Sequence, residues 1–415
     1  MEGDVTASEL PRSTDQKPRN NRALANLRGY ATLMVVSFHS LIAYNYSQPA
    51  YAQPFDAPPY GWLVNPIIDG ARWLGFDLFC AFQYSYLMHL MFFLSGLFVW
   101  PSLVGKRPRA FLYGRLVRLG VPWVLGTYLL MPVAYYPVYL TTAADPSWSA
   151  FWSHLLALPF WPTGPLWFLG VLWAFNLIAT LVYWLAPQAG QFLAQLAAGS
   201  RDRPLRYFVG VLALSALAYV PLAQFFKPWD WLDFGPFAFQ PSFILPYAVF
   251  FFAGAGVGAL GLQNGLVAPD GKLARQWKLW LVATPVAFAA WIGPTAMIVK
   301  GQGASVPGLA IVADLGLALT AATSTFALVA LFSRFANAPS STLGRLSQNA
   351  YGIYLVHYVP VIWLQYLLLG ADLLPFVKAA IVLCGAVGLS WAAANVWLLG
   401  IRFGRKPRQL AKAPP

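Results

Sequence analysis

The sequence predicts an all-α, polytopic membrane protein with about ten transmembrane helices and both termini in the cytoplasm. Hydrophobic residues make up 59% of the 415 residues and charged residues only 10%. Soluble proteins carry about 25% charged residues, so this composition is far from theirs. Many apolar runs reach roughly 20 residues, the length that crosses a bilayer as a helix.

The distribution of basic residues orients the predicted helices. Of the 27 Lys and Arg residues, 23 fall in segments that this topology places inside, and the other 4 are Arg72, Lys227, Lys300 and Lys378. Short cytoplasmic loops of membrane proteins carry such an excess of positive charge. Topology therefore explains the formal net charge of +13, and no nucleic-acid partner is predicted.

The chain is predicted to form one membrane domain between two polar tails. Residues 1–21 are read as a disordered cytoplasmic tail, residues 22–402 as the ten-helix domain, and residues 403–415 as a basic cytoplasmic tail. The predicted spans cover residues 26–46, 72–100, 119–140, 166–186, 207–226, 241–262, 279–299, 309–332, 349–369 and 376–399.

Composition also limits the chemistry. Cys80 and Cys384 both lie in apolar runs, so neither a disulfide framework nor a metal site is predicted. Glu occurs only at Glu2 and Glu9, and any carboxylate inside the membrane must therefore be Asp. The glycines in residues 254–261 lie within a span and no Lys follows them, which predicts close helix packing instead of a phosphate site.

Arg28 and His39 form the central pair of candidate functional residues. They are eleven residues apart. On a helix this spacing is three full turns plus about 20°, so the two side chains share one face and lie about 16 Å apart along the axis. A cation at the membrane surface and an imidazole near mid-bilayer suit a long ligand with an anionic end and a reactive end, such as an acyl-CoA thioester. The alternative is that Arg28 is only an anchor at the membrane interface and His39 only a hydrogen-bonded packing residue.

Arg115 and Arg118 form a second basic motif at the predicted inner rim. At a spacing of three residues on a helix they face the same way, and two guanidinium groups hold phosphate oxygens well. The alternative is that Arg115 and Arg118 only anchor the neighbouring span at the cytoplasmic surface by their positive charge.

Four further ionisable residues lie in predicted spans. His357 and Asp314 are candidate catalytic residues, and His89 and Asp77 are candidate acceptor-binding residues. Either Asp would orient a histidine or bind a hydroxyl-rich acceptor. For the two histidines the alternative is packing between helices, and for Asp77 it is exposure near the outer surface.

These motifs together resemble the acyltransferase-3 family of membrane O-acyltransferases. Arg28 and His39 look like the family's Arg-x10-His first helix, and Arg115 and Arg118 look like its Arg-x-x-Arg motif. Three more motifs follow in the family's order: Phe93-Leu-Ser-Gly96, Trp167-Phe-Leu169 and Tyr351-Gly-Ile-Tyr-Leu-Val-His357. The resemblance covers about residues 22–400 and points to the branch of glucan succinyltransferases. Ala25 stands where many members carry an Asp.

The resemblance implies transfer of an acetyl or succinyl group from cytosolic acyl-CoA to a hydroxyl of a cell-envelope carbohydrate. Acyl-CoA would be a co-substrate held by Arg28, Arg115 and Arg118, with no bound cofactor and no metal. His39 would act as general base or acyl carrier. The implied setting is the bacterial inner membrane, with the lipid bilayer as a partner. A homodimer and partners in polysaccharide synthesis both stay open.

Two other functions are compatible with the residues alone. A transporter or flippase for a small solute or a lipid-linked glycan would use the intramembrane His and Asp as relay or substrate sites. A structural partner in a polysaccharide export complex would not depend on His39. Tryptophans in the outer loops either stack on sugar rings or form the interfacial aromatic belt: Trp148, Trp152, Trp229 and Trp231.

Overall fold

A computed structural model describes residues 20–302, 306–337 and 341–404. Within these ranges, eight helices are long and apolar enough to cross a membrane. The other two predicted spans correspond to α1 and to the pair α15 and α16, so the prediction of an all-α polytopic membrane protein is confirmed. The predicted tails, residues 1–21 and 403–415, lie almost wholly outside the described residues.

The helices follow the predicted order. Their bounds are α1 (Asn20–Leu41), α2 (Leu74–Gly96), α3 (Val99–Lys106), α4 (Pro108–Arg115), α5 (Val121–Leu125), α6 (Met131–Leu140), α7 (Trp148–Ala157), α8 (Trp167–Leu185), α9 (Ala189–Ala197), α10 (Pro204–Ala223), α11 (Pro241–Leu260), α12 (Lys272–Arg275), α13 (Trp277–Val299), α14 (Leu309–Phe335), α15 (Ser341–Val356), α16 (Tyr358–Leu367) and α17 (Pro375–Gly404). Two short strands, β1 (Leu232–Phe234) and β2 (Phe237–Phe239), form an antiparallel hairpin between α10 and α11.

Helix α1 lies at the centre of the bundle. It packs against α2, α14, α15, α16 and α17. Gln83 of α2 donates its side-chain amide to the Ser37 hydroxyl of α1 at 2.9 Å. Inside a membrane such a polar contact between helices contributes about 0.6–2 kcal/mol. Both faces of α1 are therefore fixed by neighbours, and its side chains hold defined positions.

Glycines allow α2 and α11 to pack with their backbones in contact, as the sequence predicts. A β-carbon added at Gly254 would overlap the carbonyl oxygen of Phe93, and one at Gly258 would overlap that of Leu97. Small residues at such crossings increase van der Waals contact between the helices. This contact drives helix association in a membrane, because lipid tails are as apolar as the helix side chains and burial from lipid gives no hydrophobic gain.

Residues 108–140 form one continuous rod from α4 to α6, with π-helical turns at Leu116–Gly120 and Gly126–Leu130. Pro122 follows the first of these turns and lacks the N–H that would bond the Arg118 carbonyl in an α-helix. The hydroxyl of Tyr351, in α15, donates to this carbonyl.

A second proline of the same rod also frees a carbonyl, and a side chain from another helix donates to it. Pro137 lies inside α6 and leaves the carbonyl of Val133 without its usual partner. Trp363 Nε1, in α16, donates to that carbonyl at 2.9 Å. Membrane helices tolerate prolines where neighbouring groups satisfy the freed carbonyl. These two hydrogen bonds hold the rod against α15 and α16.

A buried ion pair ties the segment between α1 and α2 to α17. Lys378 Nζ lies 2.9 Å from Asp69 Oδ1 and 2.8 Å from Oδ2, and each side chain is only 2% exposed. The Arg72 guanidinium donates to the carbonyls of Gln48 and Pro49 at 2.7 and 2.6 Å. Charged groups are therefore paired inside the fold at the end of the bundle opposite Arg28.

Candidate active site

Two cavities lie along α1, one at each of its candidate residues. The smaller, of about 420 Å³, is lined by Arg28 and is named here the basic cavity. The larger, of about 750 Å³, is lined by His39 and is named the histidine cavity. Helical spacing predicts that these side chains share a face of α1, and the structure opens one cavity at each of them.

The basic cavity brings together the three arginines whose sequence motifs are predicted to bind phosphate. Arg28, Arg115 and Arg118 all line it, together with Lys106. The Arg28 guanidinium carbon lies 4.4 Å from the centre of the Phe98 ring. None of the described residues that line this cavity is acidic. Four cations without a lining carboxylate give this cavity a positive electrostatic potential, which favours an anionic ligand.

His39 contacts two rings supplied by the junction of α15 and α16. Its ring centre lies 5.5 Å from that of His357 and 5.2 Å from that of Tyr358. Between α15 and α16 the helical path continues through His357, whose N–H bonds the Ile353 carbonyl at 3.0 Å and whose carbonyl accepts from Val361 at 3.1 Å. One helical hydrogen bond is missing next to it, because Pro360 supplies no N–H to the Val356 carbonyl. The imidazole of His357 lies at this point, beside the imidazole of His39.

Hydrogen bonding defines the tautomer of His357. Its Nδ1 lies 2.6 Å from the Tyr354 carbonyl, which can only accept, so this nitrogen carries the proton. In the neutral ring Nε2 is then an acceptor, and this buried atom has no hydrogen-bond partner among the residues that the structure describes. The ring lines neither cavity and lies behind His39. An unpartnered acceptor beside His39 is suited to receive an N–H from that imidazole.

Gln365 fixes the backbone of His39 from α16. This fully buried side chain donates its amide to the His39 carbonyl at 2.8 Å and to the Ser40 carbonyl at 3.2 Å. The end of α1 leaves such carbonyls without helical partners, and a side-chain amide satisfies them as a cap. One residue of α16 therefore sets the position of His39 relative to His357.

The histidine cavity combines an aromatic wall with a few polar groups. Its aromatic lining includes Trp167, Trp229, Trp231, Tyr247 and Trp291. Asp314 also lines it and accepts a 2.8 Å hydrogen bond from the Gln224 amide. Ligand sites are commonly apolar cavities with a small number of placed polar groups.

The segment between α10 and β1 closes part of this cavity. Its Pro228 carbonyl accepts from the Tyr84 hydroxyl and from the Gln240 amide, each at 2.7 Å. In the adjoining hairpin, outside the spans, Asp233 is half-buried, and this desolvation raises the pKa of its carboxyl. The aromatic wall is thus held by hydrogen bonds from α2 and from the start of α11.

Besides His357, two more of the predicted site residues line neither cavity, His89 and Asp77. His89 packs between α2 and α11, with its ring 5.0 Å from those of both Tyr247 and Phe250. Asp77 accepts the backbone N–H groups of Tyr46 and Ser47 at 2.6 and 2.9 Å. The first contributes to aromatic packing, and the second fixes the chain just after α1.

Three residues around His39 and His357 are absent from the sequence-based predictions: Tyr354, Tyr358 and Gln365. Tyr354 carried a signal, since it precedes His357 by three residues and so lies on the same helical face. Gln365 carried one too, because an amide in an apolar span needs a partner. Tyr358 carried none, because residues adjacent in a helix point in different directions.

Comparison with protein families decides the classification. A family model described as an acyltransferase domain matches residues 21–395. The chain belongs to the acyltransferase-3 family. This membrane acyltransferase contains both cavities within the matched residues. Neither the curated proteins nor the solved structures gave a match to the chain.

Gln365→Leu should lower kcat of this acyltransferase about thirtyfold and leave KM for the acyl donor unchanged. The variant removes two hydrogen bonds to the backbone around His39, each contributing about 1 kcal/mol, and does not touch the basic cavity. Steady-state kinetics measures both constants, with the exposed Gln195→Leu as control. A parallel rise in KM would show a general disturbance of the bundle instead.

Proposed function

We propose that this protein transfers an acetyl or succinyl group from cytosolic acyl-CoA to a hydroxyl of a cell-envelope carbohydrate. The observation that carries the proposal is the pair of cavities along α1, with unbalanced cations in one and an imidazole in the other. Arg28 and His39 are eleven residues apart, about 16 Å along the helix. A donor with phosphates at one end and a thioester at the other matches this arrangement.

The basic cavity would bind the phosphates of the donor. Arginine presents a planar set of N–H donors that pairs with phosphate oxygens in two parallel hydrogen bonds. Arg115 and Arg118 come from the α4 rod and Arg28 from α1, so phosphate binding would join two separate parts of the fold. The excess of basic residues at this end supports its assignment to the cytoplasmic side, and the bacterial inner membrane is the setting we propose.

His39 would act on the acceptor hydroxyl. As general base it takes the hydroxyl proton while the oxygen attacks the thioester carbonyl carbon; the carbon–sulfur bond then breaks and the thiolate takes the proton from the imidazolium. In the second route the imidazole itself attacks, the thiol leaves, and the acyl-imidazole passes the group to the hydroxyl. A burst of thiol without acceptor distinguishes the second route from the first.

The neighbours of His39 support either route. The unpartnered Nε2 of His357 would accept an N–H from His39 and so hold that ring in one tautomer. In this role His357 is a positioning residue. Asp314 and Gln224 would bind hydroxyl groups of the acceptor on the far side of the cavity. Trp167 and Trp231 would pack against the faces of its rings.

Arg115→Gln/Arg118→Gln should raise KM for acetyl-CoA or succinyl-CoA at least tenfold with little change in kcat. Each charged hydrogen bond to phosphate contributes about 1.5–3 kcal/mol, and 1.4 kcal/mol is a tenfold change in binding. Purified protein in liposomes is incubated with the donor and a glycan extract, and thiol release and glycan mass are followed.

The matched control is Arg109→Gln/Arg206→Gln, which removes the same charge from exposed positions outside the cavity. If both double variants raised KM equally, Arg115 and Arg118 would act only through general electrostatic attraction of the donor and not as a binding site. Absence of glycan mass gain with either donor, from protein that elutes as a single folded species, would contradict the proposed donor.

A further inference from the structure

The two cavities approach each other to within one helical turn. On α1, Thr32 lines the basic cavity and Val35 lines the histidine cavity. On α2, Met91 lines the basic cavity and Met88 lines the histidine cavity. Three residues of helix rise about 4.5 Å. The wall between the cavities is therefore about one side chain thick.

One side chain lines both cavities. Tyr354, in α15, is the only residue common to the two linings within the described part of the chain, and it is 4% exposed. Its hydroxyl donates to the carbonyl of Pro165, which lines the histidine cavity. Its ring lies 5.9 Å from that of Phe168, which lines the basic cavity. The Tyr354 ring is thus the shared part of the wall.

We propose that Tyr354 is the partition that keeps the donor thioester away from water until an acceptor is bound. The proposal rests on the proposed function and adds a residue that selects the acceptor hydroxyl over water. The backbone of Tyr354 is fixed by α15, and its ring is held by the hydroxyl hydrogen bond to Pro165 and by the neighbouring rings of Phe168 and His357. Rotation of this one side chain would join the two cavities.

The chemistry explains why such a partition is needed. Water in the histidine cavity offers the same O–H group as the acceptor, and His39 would deprotonate either one. Attack of water on the thioester carbonyl carbon breaks the carbon–sulfur bond and gives a free carboxylic acid and a thiol. Active sites suppress such side reactions by excluding water. A ring between the thioester and the cavity water does this until the acceptor fills the cavity.

Thiol labelling tests the partition without any turnover. Ser95 lines the basic cavity, so Ser95→Cys in a Cys80→Ser/Cys384→Ser background places a single thiol there. A membrane-impermeant maleimide is applied to liposomes from the side of the histidine cavity. Adding Tyr354→Ala should increase the labelling rate at least tenfold, and Tyr354→Phe, which keeps the ring but not its hydrogen bond, should give an intermediate rate.

The control is Phe111→Ala, since the Phe111 ring lines the basic cavity and not the histidine cavity. It should leave labelling from the histidine side unchanged. Labelling that does not respond to Tyr354→Ala, or responds equally to Phe111→Ala, would overturn the partition. Proper folding of each variant is checked by labelling from the opposite side, which should stay fast.

Donor hydrolysis gives a second measurement. With acetyl-CoA and no acceptor, Tyr354→Ala should release thiol at least five times faster than the unchanged protein. If acetyl-CoA and succinyl-CoA are not donors, the proposed function fails while the labelling result still stands. If transfer occurs but neither labelling nor hydrolysis changes, the partition is wrong and the function is retained.

Discussion

Replacing His39 with Gln should lower the rate of acyl transfer by a factor of about 10²–10⁴, the usual contribution of a positioned acid–base group. Glutamine has a similar size and keeps a hydrogen-bonding group, but it does not exchange a proton near neutral pH. The basic cavity does not contain residue 39, so KM for the donor should stay within about threefold. Single-turnover measurement of acyl transfer at saturating donor gives the relevant rate.

His154→Gln is the matched control for this prediction. His154 lies in α7, pairs with Asp56 through Nδ1 at 2.9 Å, and lines neither cavity. Its substitution should leave transfer unchanged. If His39→Gln transferred the acyl group at the normal rate, His39 would have only a packing role. If it raised KM for the donor and left kcat normal, His39 would have only a binding role.

Lys378→Met should lower the free energy of unfolding by about 3–5 kcal/mol, because it leaves the carboxylate of Asp69 buried without its partner. The loss is large since the ion pair joins segments 309 residues apart and both side chains are almost fully buried. Denaturant unfolding in mild detergent, followed by tryptophan fluorescence, measures the change in stability.

Two further variants make this prediction specific. Asp69→Leu/Lys378→Met removes both charges and should recover most of the lost stability, since hydrophobic replacement of a buried pair is often neutral. Lys300→Met removes an exposed charge near the same end of the bundle and should have little effect. A double variant as unstable as the single one would show that Lys378 acts by something other than its pairing with Asp69.

The order of the apolar helices could be predicted from the sequence because each span must satisfy its own backbone in lipid. Of the ten predicted spans, eight correspond to helices that are long and apolar enough to cross a membrane within the described residues. Irregularities within spans are harder to predict. The span predicted at residues 349–369 begins earlier, at Ser341, and is divided into α15 and α16 next to the Val356 carbonyl, which lacks its helical donor. The effect of Pro360 on the Val356 carbonyl was available from the sequence, whereas the π-helical turns around Pro122 were not.

The candidate site was only partly predictable, because helical spacing assigns a residue to a face and does not identify the neighbour of that face. Arg28 and His39 each line a cavity, as their spacing suggested. His89 has the same chemistry as His39 but faces α11, whose aromatic rings surround it. The charge distribution places Lys378 in an outside segment, whereas an ionisable residue at the start of an apolar span also indicates a buried partner.

The prolines of the α4 to α6 rod have a consequence for how this chain can change during evolution. Pro137 makes the carbonyl of Val133 depend on a donor from Trp363, a residue on another helix. A residue with its own N–H at position 137 would restore the local bond and release position 363 from that requirement. The two positions should therefore covary among related chains. Trp363 should be replaced only in chains that carry a residue other than proline at position 137.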